Sequence, residues 1–122
     1  MLELHYDGRF NSDQFFYDSY DEWYENYYDI ANVWIVNPKE KNGIIKLAAN
    51  CYRGKNVTPL YQFLIKKKGE KEYTMLQDYS ENSVIEFRPE KGIEYSIKVN
   101  ALSNKNMEAE PMYYVRNIKV EK

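Results

Sequence analysis

The chain has 122 residues, one domain by size and long enough to bury a core of its own. Hydrophobic residues make up 43% and aromatic residues 16%, yet no apolar run approaches the roughly 18 residues of a membrane span, so direct insertion is not expected. A single cysteine, Cys51, excludes an internal disulfide and a cysteine-rich zinc site and leaves the compartment open.

The formal charge of −2 conceals an asymmetry. Residues 1–29 carry eight carboxylates against Arg9, a net of −7, whereas residues 30–122 carry 16 basic and 11 acidic groups, a net of +5. Composition alone therefore divides the chain into an acidic, tyrosine-rich extension (1–29) and a remainder (30–122) that attracts it.

The start, "MLELHYDGRF", has neither the basic nor the apolar region of a signal peptide, as an excised domain would also lack. In "SYDEWYENYYD", residues 19–29, aromatic rings and carboxylates take nine of eleven positions. Phe16, Tyr20, Tyr24 and Tyr28 recur every four residues, with Trp23 and Tyr27 beside them, an aromatic stripe at helical spacing. Ser12 or Asp13 could cap such a helix. Aromatic residues are mediocre helix formers, so helix, linker and binding element all stay open for this segment.

From residue 30 the signal changes to period-2 alternation, the pattern of half-buried strands. "IANVWIV" is apolar nearly throughout and suits a strand covered on both sides. "IIKLAANC" turns Ile45, Leu47, Ala49 and Cys51 one way; "LYQFLIK" does so with Tyr61, Phe63 and Ile65. "EYTMLQDY" and "SVIEF" are shorter candidates. "IEYSIKVNA" alternates most cleanly, with Ile93, Tyr95, Ile97, Val99 and Ala101 on one face. "MYYVRNIKV" alternates at Tyr113 and Val115 and restarts out of phase at Ile118 and Val120, which predicts a β-bulge near Arg116 and Asn117. Turn signals at Asn37-Pro38, Asn42-Gly43, Arg53-Gly54, Lys68-Gly69, Pro89 to Gly92 and Asn104 to Asn106 separate the runs. The expected strands are 30–36, 43–52, 60–67, 72–79, 83–88, 93–101 and 112–120: an all-β, seven-stranded sandwich or barrel.

The stretch "LYQFLIKKKGEKEYTMLQDYSENSVIEFRPEKGIEYSIKVNAL" resembles the triple-tyrosine (three-Y) domain family of bacterial cell-surface and sensor proteins, across residues 30–120 and most strongly from 60 to 101. Tyr61, Tyr79 and Tyr95 correspond to its name-giving tyrosines. The resemblance implies an immunoglobulin-like or fibronectin type III-like sandwich, with Tyr95 at a tyrosine corner, its hydroxyl bonded to backbone near the preceding bend. It also implies an extracellular or cell-surface location and a place within a larger exported protein. The chain departs from immunoglobulin domains in lacking a cysteine pair, and from typical fibronectin domains in lacking a tryptophan in the second strand. Residues 1–29 fall outside the resemblance.

Catalysis is not expected. His5 is the lone histidine, Cys51 falls on an inward face where a thiol is inert, and nucleophile elbow, zinc-ligand spacing and phosphate loop are all missing, so no cofactor is implied. Asp18, Asp21, Glu22 and Glu25 could offer oxygens to calcium, but without EF-hand spacing they read as a solvated helix face. Nucleic acid is not an expected partner, because "KKKGEK" sits at a hairpin tip and the aromatic-rich segment is acidic. The sharpest ligand idea is a sugar: Trp23, Tyr24, Tyr27 and Tyr28 could stack on it, with Asp21 and Glu25 accepting hydroxyl bonds. Against it stands the reading that the same stripe packs on the sandwich. The expected role is that of a non-catalytic spacer or interaction module, with neighbouring domains of the same polypeptide as partners. The alternatives are a module binding cell-wall glycan or another surface protein, and a sensor-type dimerisation domain.

Overall fold

The computed structural model describes residues 20–120, with side chains from Trp23 onward. The predicted positions Phe16 and Asp18, the lone His5 and the capping candidates Ser12 and Asp13 lie outside the described residues. Among the described residues one short helix, α1 (Tyr20–Asn26), precedes seven strands: β1 (Ile30–Lys41), β2 (Ile44–Arg53), β3 (Pro59–Lys67), β4 (Thr74–Ser80), β5 (Val84–Phe87), β6 (Glu94–Ser103) and β7 (Met112–Lys119). They form two antiparallel sheets, of order β1-β2-β5 and β4-β3-β6-β7. The all-β sandwich expected from the alternation is the fold.

The inward rows are those that alternation marks. Ile45, Leu47 and Ala49 of one sheet meet Tyr61, Phe63, Tyr95, Ile97, Val99 and Ala101 of the other in a single buried cluster. Two tyrosines stitch the layers together. The Tyr61 hydroxyl on β3 donates to Cys51 Sγ on β2 at 3.3 Å, and the Tyr95 ring lies edge-on to Phe87, centroids 5.6 Å apart. The hydroxyl of Tyr95 accepts the Glu90 N–H at 2.8 Å, inside the bend before β6. Asn42 and Gly43 take positive φ (55° and 81°), as a two-residue hairpin turn between β1 and β2 requires. The "KKKGEK" stretch does turn the β3–β4 hairpin, where Glu70 accepts the Lys67 N–H.

Three expectations need correction. No bulge interrupts β7: its register against β6 runs unbroken from Met112↔Ala101 to Lys119↔Glu94. Tyr114, Arg116, Ile118 and Val120 form the inner row, and Tyr113 and Val115 face solvent. The misreading came from Arg116, which occupies an inner position yet carries its guanidinium to the rim, donating to Asn37 Oδ1 at 2.8 Å. Second, β1 is longer than its apolar run and is covered on both sides only near its start. It slips register between Ile30 and Asn32, which lets Ile30, Val33 and Ile35 all face inward, and again between Val36 and Lys39. The second slip spans Pro38, a residue that edge strands tolerate at bulges. Third, the aromatic stripe does not pack as one face: Trp23 and Tyr27 are on the packed side, whereas Tyr24 and Tyr28 are exposed.

Candidate functional site

Seven residues are too few for a stable isolated helix, so α1 owes its existence to what it packs on. Trp23, 5% exposed, lies against Ala31, and Tyr27 stacks on it with centroids 5.0 Å apart. Gly54, at the end of β2, allows the approach: a Cβ there would overlap the Tyr27 carbonyl. Around this contact the loops close. Lys55 N–H donates to the Tyr24 carbonyl, Asn56 Nδ2 to the Glu25 carbonyl at 3.4 Å, and Lys55 Nζ pairs with Glu25 at 3.1 Å. From the far side of the chain, the buried Ser103 Oγ donates to the Tyr28 carbonyl at 2.6 Å and Asn106 Nδ2 to Asp29 Oδ2 at 3.0 Å. The segment 23–29 thus caps one end of the sandwich, across the compositional boundary at residue 29.

This geometry sorts the sugar-stacking candidates. Trp23 turns its ring into the protein, and Tyr27 is half-buried on top of it. Tyr24 and Tyr28 face outward, Tyr28 at 56% exposure, and Glu25 is shared with Lys55. Asp21 lies on the first turn of α1, its side chain outside the described residues. The six residues are therefore not one platform: Trp23 and Tyr27 form the packing side, Tyr24 and Tyr28 the solvent side.

Tyr61 and Tyr95 are core residues, and Tyr79 on β4 is half-buried. Burial first, and then the bond to Cys51, pushes the Tyr61 phenol far up; burial and the neighbouring Asp78 raise Tyr79. Burial also raises the Cys51 thiol, an effect that the Tyr61 hydroxyl and Arg53 only partly offset, so Cys51 is a protonated thiol at neutral pH. Among the described residues, no three His, Cys, Asp or Glu side chains converge as metal ligands would. No described helix is long and apolar enough to cross a membrane.

A surface that sequence reasoning missed lies on the outer face of β4-β3-β6-β7. Cross-strand register aligns Met75, Leu64, Lys98 and Val115 in one row across all four strands. Lys98 Nζ sits 5.0 Å from the Tyr113 ring centre and 5.7 Å from that of Tyr73, and Lys66 Nζ lies 4.9 Å over the same Tyr73 ring. Tyr113 is 66% exposed, and Met75 and Val115 are exposed beside it. The next row is polar: Asn100 donates to Gln62, which donates to Asp78. The residues come from four separate segments, so only a correct β7 phase could have assembled them. On the outer face of the other sheet, Trp34 and Tyr52 meet edge to face with centroids 5.3 Å apart.

No family model matches the chain, and no curated protein is significantly similar to it in sequence.

Proposed function

We propose that this chain is a fibronectin type III-like sandwich of the three-Y kind, serving as a non-catalytic spacer or interaction module within a larger exported bacterial protein. One observation carries the reading: the sandwich is entered and left at opposite ends. Ile30 stands opposite Arg53 in the same end as the Tyr28–Ser103 contact, whereas Lys119 stands opposite Glu94 at the other end. The ten residues of β6 separate those ends by about 30 Å. A domain with that polarity extends a polypeptide when placed in series. The strand order and the Tyr95–Glu90 bond support the fibronectin-like assignment, since a tyrosine early in the sixth strand is expected to bond backbone just upstream.

The test is small-angle scattering of two copies joined end to end, at about 0.5 M salt to suppress charge-driven contacts. The expected pair is longer than a single copy by at least about 30 Å. A pair no longer than one copy contradicts the spacer reading. The glycan alternative now rests on Tyr24 and Tyr28. Sedimentation with insoluble cell-wall glycan that is lost in Tyr24→Ala and Tyr28→Ala, with unfolding unchanged, would favour it over the spacer.

A further inference from the structure

The outer face of β1-β2-β5 carries a pattern that the fold itself does not require. Cross-strand register sets Asn32 opposite Tyr52 and Trp34 opposite Asn50, so two rings and two amides alternate at one corner of the sheet. The rings meet at 61° and form a stepped aromatic corner, with Tyr52 45% exposed. Asn32 and Asn50 each use Oδ1 to accept the N–H of the next residue, at 3.0 and 2.9 Å. Their Nδ2 groups and the Trp34 Nε1 have no partner among the described residues, so the corner presents donors beside ring faces. The next row along the strands is apolar: Val36, Ala48 and Val84.

Farther along the same hairpin the face turns cationic. Lys39 stands directly opposite Lys46, an arrangement that costs a sheet stability. Lys41 lies nearer the turn, and Arg88, just past β5, brings its Nη1 within 3.3 Å of where a Cβ on Gly43 would stand. All four cations are exposed. Glu86, opposite Lys46 on β5, is the one acid of these rows, because Glu40 pairs with inner-row Ile45 and accepts the Gly43 N–H at 2.7 Å. Local rules broken without gain to the fold are found where a protein binds or reacts. From Asn50 to Lys46 the aromatic corner and the lysine pair are about 14 Å apart along β2.

A ligand that matches this face must present flat C–H surface, acceptor oxygens and negative charge in one line. We propose that the outer face of β1-β2-β5 binds a linear acidic glycan, a chain of sugar rings bearing carboxylates. One sugar ring lies on Trp34 against Tyr52, its C–H groups meeting the negative face of the indole. Asn32 and Asn50 donate to its ring and hydroxyl oxygens. Lys39, Lys46 and Arg88 take the carboxylates of sugars farther along, as charge-assisted hydrogen bonds. The site draws on no residue of α1, goes beyond the spacer role and does not depend on it.

Isothermal titration calorimetry of the full chain with oligogalacturonate at about 20 mM salt tests this, and the binding expected there is to weaken at about 0.5 M salt. Trp34→Ala and, separately, Lys39→Gln with Lys46→Gln are each expected to weaken it at least about tenfold. The lysine variant is expected to unfold at the same urea concentration as the parent or a higher one, since it removes the like-charge pair. Its loss of binding therefore cannot come from loss of fold. A neutral oligosaccharide of equal length, and polyglutamate, which has charge but no sugar ring, are each expected to bind at least about tenfold more weakly. Tyr24→Ala with Tyr28→Ala is expected to bind as the parent does. A parent chain that shows no heat of binding at about 1 mM oligogalacturonate overturns the proposal. So does a lysine variant that binds like the parent, polyglutamate that binds as well as the sugar, or binding that is lost only in the Tyr24 and Tyr28 variant.

Discussion

The two ends of the sandwich are closed by different means. At the end where β6 begins, the seal is local: Tyr95 reaches back five residues to the Glu90 N–H, and its ring meets Phe87. At the other end the seal is assembled from afar. Trp23 and Tyr27 lie over Ala31 and Gly54, and Ser103 and Asn106 reach the Tyr28 carbonyl and Asp29 across 75 and 77 residues of chain. A closure of the first kind forms as soon as its own strand is in place. The second kind forms only once both sheets exist, and it brings residues 23–29 into the fold as a structural part.

The sharpest way to break this comparison is at the remote seal. Trp23→Ala is expected to cost about 3–5 kcal/mol in urea unfolding, the range for deleting a buried tryptophan. Tyr28→Ala, which removes an outward ring, is expected to cost under about 0.5 kcal/mol. Equal losses would mean that α1 is not packed by the face seen here. The next contrast sets one hydroxyl at each end against the other. Tyr95→Phe leaves the Glu90 N–H without its partner, Ser103→Ala the Tyr28 carbonyl and the Lys105 N–H, and each is expected to cost about 1–2 kcal/mol. If the remote seal were dispensable, only Tyr95→Phe would register. The smallest effect concerns charge. Glu25 and Lys55 form an exposed pair, so a double-mutant cycle on them is expected to return about 0.5 kcal/mol or less. A much larger coupling would make electrostatics, rather than ring burial, the force that holds the cap.

The same contrast explains how much of the molecule was legible in sequence. Strand positions follow from period-2 alternation, because an inward row such as Ile97 and Val99 is dictated by burial alone. The Tyr95 hydroxyl bond was expected only through the resemblance, which places such a tyrosine against backbone at the bend just before its strand. The docked face of α1 was not legible. Tyr24–Tyr28 and Trp23–Tyr27 both satisfy helical spacing, and the choice between them is made by Ala31 and by the missing side chain at Gly54. In β7, periodicity failed for a related reason: Arg116 is polar at its tip but inner by position, so polarity and orientation disagree. The lysine–tyrosine face depended on that phase, since Tyr113 reaches Lys98 only when β7 runs without a bulge.

The chain contains two tryptophans, so Trp34→Phe leaves Trp23 as the sole indole reporter, placed in the cap. Urea unfolding of that variant, followed by tryptophan fluorescence for the cap and by far-ultraviolet circular dichroism for the sheets, tests directly whether the acidic segment belongs to the cooperative fold. Coincident transitions with one midpoint are expected. A fluorescence transition complete at lower urea, with the sheet signal still native, would show that α1 is an appendage and not the closure of the sandwich.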